Sequence, residues 1–353
     1  MESVQNTVCS FSNLYKSAQV CRRNVNWKDS VAHFTNHSLA SVYRLQNFLR
    51  TDTYKISEYS RFEICEPKLR KITSTRFKDR VFQRSLCDNY LTKVVSKDFI
   101  PDNYACQKNK GTDRARECLE RHLKTFYSRH QINGYILKVD IHDYFGSTQH
   151  TVAISAMRKR IPDPWALTHV VNIINSFENN NDYTKGIGLG SQVSQLIQLA
   201  VLDDLDHFIT QNLHIKLYVR YMDDFILIHH SKKYLIHCLH QIIHFLRTIF
   251  LEISPKKTKL FKVTQSIKFL GFSFKLHPTG KVTKRITPDN IKRERRKLRK
   301  LIIRVKFDKM TLETFEDCYQ SWRAFVKKTD SRGQMLKMDR YKNKLKEETL
   351  YVN

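Results

Sequence analysis

The chain has 353 residues, enough for two or three domains, and its 41% hydrophobic and 11% aromatic content excludes a disordered basic tail. With 9 Gly and 7 Pro it is neither collagen-like nor of low complexity. Its 62 Lys and Arg against 34 Asp and Glu give a formal charge of +28, which implies a polyanionic partner: nucleic acid first, an acidic membrane surface second.

In chain order, Leu39, Val42, Leu45 and Phe48 have helical spacing, so the chain is expected to enter with helices. A basic stretch from Lys68 to Arg84 follows, with apolar residues interleaved. After Gly111-Thr112-Asp113-Arg114 a helical run passes through Leu119 and Leu123. Tyr135 to Ile141, rich in β-branched residues and preceded by Asn133-Gly134, predicts a buried strand. Residues 150 to 177 read as helical with an interruption at Pro162 and Pro164, and Gly186, Gly188 and Gly190 form a loop opening a helix from Val193 to Ile209. Lys216 to Tyr221 and Phe225 to His229 flank Met222-Asp223-Asp224, which predicts a hairpin with carboxylates at its tip. A helix from Lys232 to Phe250 and strand structure from Ile267 to Leu276 come next. Residues 275 to 309 hold fourteen Lys or Arg against three acids, and Ile291 to Arg304 reads as a basic helix of a separate C-terminal domain.

Eight cysteines at 9, 21, 65, 87, 106, 118, 238 and 318 include no C-x-x-C pair, so they read as thiols of a reducing cytoplasm rather than a zinc or disulfide framework. Met1 to Ser10 lacks the basic lead and apolar core of a signal peptide. No run approaches the ~18 apolar residues of a spanning helix.

Asp140 ends one expected strand, and Asp223 with Asp224 ends another. A carboxylate at the end of a buried strand is costly unless it is paired or binds metal. Converging, these acids would suit Mg²⁺ and hence phosphoryl transfer, and in so basic a chain the substrate would be nucleic acid. An Asp-Asp pair alone is an ordinary turn. Set between two apolar strands, with a strand-ending Asp some eighty residues earlier, it is far more specific.

Tyr221-Met222-Asp223-Asp224 resembles the catalytic palm motif of reverse transcriptases, and Asp140 to Phe145 is similar to their first palm motif. Phe269-Leu270-Gly271-Phe272 resembles the primer-grip strand; Phe77 to Val81 and Tyr104 to Thr112 resemble the fingers of bacterial, group II intron-like enzymes. The resemblance implies an α+β right-hand polymerase with an antiparallel palm sheet and a helical thumb. Its expected parts are a helical extension over 1–60, fingers over 61–134, a palm over 135–276 with a fingers insertion near 146–185, and a basic thumb over 277–353.

It also carries roles to positions. Asp140 and Asp223, with the Ile141 carbonyl, would hold two Mg²⁺ ions (Mn²⁺ as a substitute), Asp224 being the adjacent acid. Phe145 falls where the family places its steric gate against a ribose 2′-hydroxyl; the alternative is a core aromatic. Lys257 takes the place of the lysine that protonates pyrophosphate, with a solvated basic loop containing Lys256 and Lys259 as the alternative. Lys71, Lys78 and Arg80 would clasp the triphosphate. Lys292, Arg295, Arg296, Arg299 and Lys300 would follow the phosphates of the template–primer duplex. Ser321 to Phe325 resembles a thumb segment of bacterial relatives, with Trp322 as a packing anchor.

The glycine loop departs from the family. Most members carry proline-glutamine-glycine and end in serine-proline, whereas this chain reads Gly188-Leu189-Gly190-Ser191-Gln192-Val193-Ser194-Gln195. That is similar to diversity-generating retroelement and phage-defence enzymes. Leu189, Gly190 and Gln192 would line the nucleotide site, and loss of the glutamine at 189 implies tolerance of mispairs. Gln198-Leu199 stands where the diversifying enzymes often have alanine-asparagine, which favours defence.

The expected function is RNA-directed synthesis of DNA from deoxynucleoside triphosphates on a dedicated noncoding RNA, with a DNA primer or product and an accessory protein or second copy as further partners, and no membrane. No H-N-H endonuclease or zinc motif follows the expected thumb, consistent with a dedicated synthesis module. The alternatives are a diversity-generating enzyme, a template-independent or protein-primed polymerase, and a silent RNA-binding scaffold. His237, His240 and His244 share a helical face without matching ligands, and Asp203, Asp204 and Asp206 read as the far end of the palm helix.

Overall fold

In the computed structural model of the protein, which describes residues 3–25, 27–65, 69–178 and 182–351, several helices start where the sequence supplies a side-chain acceptor. Lys68, the expected start of the basic stretch, lies outside those residues. Ser10 caps Phe11–Cys21, Asp163 caps Pro164–Asn175, Ser191 caps Gln192–Val201 and Thr311 caps Leu312–Lys327. Pro164 occupies the first turn of its helix, where a missing amide hydrogen costs nothing.

By internal packing the chain divides into two units. The first comprises Met1–Ala115, Leu137–Leu227 and Lys233–Lys259; the second comprises Arg116–Ile136, Ile228–Lys232 and Leu260–Asn353.

In the first unit, Phe11–Cys21 packs on Ser38–Arg50 and Phe77–Leu86. Two buried polar groups there bond to the main chain: the Gln46 amide donates to the Cys9 carbonyl and the Ser85 hydroxyl to that of Val8, both at 2.7 Å. Strands β1 (Ser60–Ile64) and β2 (Arg70–Ser74), which the sequence reading does not foresee, form an antiparallel ribbon with Ser60 opposite Ser74. Asp79 anchors the approach to it, accepting from the Tyr54 hydroxyl at 2.7 Å and the Ser57 amide at 3.2 Å.

The expected buried strand is β3 (Tyr135–Asp140), and the expected hairpin is β4 (Tyr218–Tyr221) with β5 (Asp224–His229). Their order is β4, β5, β3, so β3 and β5 are neighbours. Tyr221 pairs with Asp224, leaving Met222 and Asp223 as a two-residue turn. Residues 150–177 split as expected into His150–Arg158 and Pro164–Asn175, and the first of these packs on both the second and Gln192–Val201. Lys232–Thr248 forms a further helix, its His237, His240 and His244 exposed.

The second unit contains Thr112–His130 from Arg116 onward, β6 (Lys259–Lys262) from Leu260, and an antiparallel sheet of β7 (Ile267–Phe269), β8 (Phe272–Leu276) and β9 (Val282–Ile286). Gly271 turns β7 into β8 with φ +85°, a conformation glycine adopts without penalty. Arg116 donates to the Leu270 carbonyl and lies 4.2 Å from the Phe272 ring centroid. Helices Pro288–Lys306, Leu312–Lys327 and Arg332–Lys346 close over a core of Leu298, Ile302, Phe315, Tyr319, Trp322, Val326 and Met338. The Trp322 indole donates to the Asn290 side chain at 2.8 Å, fixing it as the expected packing anchor. Among the described residues no helix is long and apolar enough to cross a membrane.

Leu298 is fully buried in that core. Leu298→Ala is expected to lower the stability of the protein by about 2–5 kcal/mol in chemical denaturation. An unchanged midpoint would show that this helix does not pack as described.

Candidate active site

Asp140 stands at the end of β3, buried, and its backbone carbonyl accepts from the Ser254 amide at 2.7 Å. The Ile141 amide donates to the Asp223 carbonyl at 3.3 Å, so the strand end and the β4–β5 turn are joined through the main chain. Met222 at that turn has φ +56°, a left-handed conformation costly for a residue with a Cβ and tolerated where the surroundings fix it.

Two of the three carboxylates have an identified cationic partner. Lys257 donates to Asp140, and Lys138 donates to Asp224 at 2.8 Å. Lys138 and Asp140 point to one face of β3 by the two-residue period of a strand, which brings this lysine to the acids. Burial raises the Asp223 carboxyl above its ordinary value, and the neighbouring Asp140 raises it further against the pull of Lys257 and Arg70. Burial pushes Asp224 up to about 6, although Lys138 opposes it.

These side chains meet the requirements of a hard divalent cation. The donors are all oxygens, Asp140 and Asp223 are close enough to repel, and Asp224 Oδ1 is buried with no hydrogen-bond partner among the described residues.

The site opens into a cleft of about 1050 Å³. Its lining includes Ile141, Asp223 and Lys257, Phe145 and Leu189, and Arg61, Arg70 and Lys71 of the β1–β2 ribbon. The Phe145 carbonyl accepts from the Ile187 amide at 2.7 Å, which ties the turn after Asp140 to the glycine loop. The ribbon is tied to the same loop: the Thr73 amide donates to the Leu189 carbonyl at 3.1 Å. Here two glycines are required. A Cβ at Gly188 would lie 2.5 Å from the Phe177 ring, and one at Gly190, where φ is +141°, 3.0 Å from the Thr73 carbonyl.

Of the residues singled out in the sequence, Asp140, Ile141, Asp223, Phe145, Leu189, Lys71 and Lys257 therefore come together, with Asp224 one residue behind. Others do not line the cleft. Lys78 donates to the Lys55 carbonyl at 3.4 Å beside the Tyr54 ring, and Arg80 reaches Ser74 Oγ at 3.3 Å. Gly190 serves the loop backbone, and the Gln192 amide donates to Asp88 at 3.3 Å. Lys292, Arg295, Arg296, Arg299 and Lys300 are exposed on Pro288–Lys306 in the second unit. Asp203 pairs with Arg160 and Asp204 with Lys159, each at 2.6 Å, away from the cleft.

Sequence reasoning passed over Arg61, Arg70, Asp143, Glu178, Lys138 and the pair Arg220–Asp206. A single charged residue inside an apolar strand, as at Lys138 and Arg220, was the available signal.

A family model described as reverse transcriptase (RNA-dependent DNA polymerase) matches residues 24–274, well over half of the chain. The chain belongs to the reverse transcriptase family. Its fold is similar to that of telomerase from Candida albicans, solved with the TWJ fragment of telomeric RNA, at TM-score 0.51 and 12% identity over 71% of this chain and 51% of that one. Telomerase from Candida tropicalis, without ligand and truncated from its C-terminal domain, gives TM-score 0.49 and 11% identity over 70% and 60%. The chain thus spans about half to six-tenths of the length of those two chains. No curated protein matches it by sequence. The helices, antiparallel sheets and family membership agree with the α+β right-hand reverse transcriptase fold expected from the motifs.

Because the fold holds the Asp224 carboxyl up to about 6, that group deprotonates as pH rises through about 6 and favours folding less above it than below. Lys138→Met removes the opposing cation, so carbon-13 NMR of the carboxyls in metal-free buffer should show the Asp224 titration moving to higher pH. A shift to lower pH would mean that Lys138 does not act on this acid.

Proposed function

We propose that the protein is an RNA-directed DNA polymerase that extends a primer 3′-hydroxyl with deoxynucleoside triphosphates. The observation that carries this reading is that Asp223, close enough to Asp140 to feel its charge, lines a cleft together with Arg61, Arg70 and Lys71. Asp140 and Asp223, with the Ile141 carbonyl, would hold two Mg²⁺ ions, Mn²⁺ being a substitute, with Asp224 as the adjacent acid. The bound cations supply activation of the primer hydroxyl and charge stabilisation on the leaving oxygen.

The remaining work falls to the chain itself. Arg61, Arg70 and Lys71 hold the triphosphate and offset negative charge spreading over its oxygens. Lys257, beside Asp140, is placed to hold a proton for the departing pyrophosphate. Phe145 presents its ring where a ribose 2′-hydroxyl would sit and so selects deoxynucleotides. The exposed cations of Pro288–Lys306 suit the phosphates of a template–primer duplex, which they position without reading sequence. In this reading the β1–β2 ribbon is the fingertip, β3 to β5 the palm and the C-terminal helices the thumb.

The Gly188–Gln195 loop resembles those of enzymes with dedicated RNA templates, and Gln198-Leu199 departs from the diversifying pattern. We therefore assign the enzyme to phage defence with its own noncoding RNA. Sequencing the DNA made from copurified RNA tests this: a single recurrent template is expected, and random cellular RNA would oppose it.

Asp223→Asn is expected to lower primer extension by at least about a hundredfold while RNA binding stays at the wild-type level. Full polymerisation by that variant would overturn the site assignment. Leu189→Gln restores a polar group at the forming base pair, and its misincorporation frequency should fall below that of the wild type. Equal, low error rates in both proteins would show that Leu189 does not loosen selection.

A further inference from the structure

We propose that Arg220 is the positioning residue of the turn that carries Asp223, and that Asp206 in turn positions Arg220. The inference rests on the reading of Asp223 as a ligand-bearing acid given above.

Arg220 lies within β4 and is fully buried, as is Asp206. The pairing is two-pronged: Nε donates to Asp206 Oδ1 at 2.7 Å and to Oδ2 at 2.9 Å, and Nη2 donates to Oδ2 at 2.5 Å. The Tyr218 hydroxyl donates to Asp206 Oδ1 at 2.7 Å, so the carboxylate is held from two sides. The guanidinium then reaches outward. Nη2 donates to the Leu199 carbonyl at 3.3 Å, and Nη1 donates to the Met222 carbonyl at 3.1 Å.

A buried ion pair is a poor stabiliser, because desolvation offsets most of the attraction and an apolar pair of similar volume packs as well. A reason beyond stability is therefore needed, and the Met222 contact supplies one. Met222 holds a left-handed conformation, which persists only where neighbouring groups over-determine it. Arg220 binds the carbonyl of that residue, one position before Asp223. Its own backbone is fixed as well, with its amide donating to the Asp102 carbonyl and its carbonyl accepting from the Tyr104 amide, each at 3.0 Å. A planar fork can bind Asp206, Leu199 and Met222 together, which a lysine ammonium cannot reproduce.

The same helical segment serves the other acid-bearing turn. The Gln198 carbonyl, next to that of Leu199, accepts from the Tyr144 hydroxyl at 2.5 Å. Gln198 Oε1 accepts from the Thr148 hydroxyl at 3.1 Å. The turn after Asp140 and the turn containing Asp223 are thus both referred to consecutive carbonyls of Gln192–Val201. Arg220 sets the separation of the two acids and acts on the chemical step, not on substrate affinity.

The test measures primer extension by Arg220→Lys and Asp206→Asn, normalised to active sites counted by single-turnover burst. The expected result is a fall in kcat per active site of about tenfold or more, with KM for the deoxynucleotide and affinity for RNA within about twofold of wild type. A purely structural role would give fewer active sites, each turning over at the wild-type rate, and that outcome overturns the proposal. If Arg220→Lys does not fold, Asp206→Asn decides by the same measure; if neither folds, Tyr218→Phe, which loses one hydroxyl, decides in their place. Asp223→Asn is assayed alongside. Full activity there sinks the reading of the site itself, whereas an inactive Asp223→Asn with wild-type turnover in Arg220→Lys sinks this inference alone.

Discussion

Like-charged carboxylates brought together at the ends of two adjacent, largely apolar strands are the constraint on which the rest of the site depends. Asp140, Asp223 and Asp224 are held where water cannot solvate them fully; Asp140 raises the cost of charge on Asp223 and Asp224, and Asp223 adds to that on Asp224. Lys138 and Lys257 answer from two directions, one along β3 and one from the segment after Ser254. The same rule governs the buried acids around them: Asp206 faces Arg220, Asp203 faces Arg160, and Asp79 takes a hydroxyl and an amide. Only at Asp224 is a buried carboxylate oxygen near the cleft left without a donor among the described residues.

Around this charged centre, the first unit uses main-chain bonds to align segments that are far apart in sequence. Ile141 joins Asp223, Ile187 joins Phe145, Thr73 joins Leu189, and Arg220 joins Asp102 and Tyr104. Backbone bonds of this kind fix geometry without constraining which side chains face the cleft.

The strand-ending acids, the hairpin, the helix breaks at the prolines and the amphipathic C-terminal helix were legible because each is written in local periodicity or in turn chemistry. The β1–β2 ribbon was not. Its first strand is exposed throughout, so Ser60–Ile64 carries no alternation of buried and solvated residues. Lys78 and Arg80 drew attention through their motif, yet their side chains satisfy local carbonyl and hydroxyl groups, while Arg61 and Arg70 reach the cleft from the less conspicuous ribbon. Asp206 was misleading for a different reason. In sequence it sits among Asp203 and Asp204 at a helix end, and only folding carries it to an arginine fourteen positions on. Composition could not separate these cases, because in a chain with 62 basic residues any one cation is unremarkable until its partner is known.

The bond from Thr73 to position 189 is made to a carbonyl, not to a side chain. The glycines on either side answer to packing demands, since Gly188 is pressed by the Phe177 ring and Gly190 by the Thr73 backbone. The residue between them answers to none of these. The side chain at 189 can therefore change while the tie between ribbon and loop stays in place, so what faces the cleft there varies separately from what holds the loop.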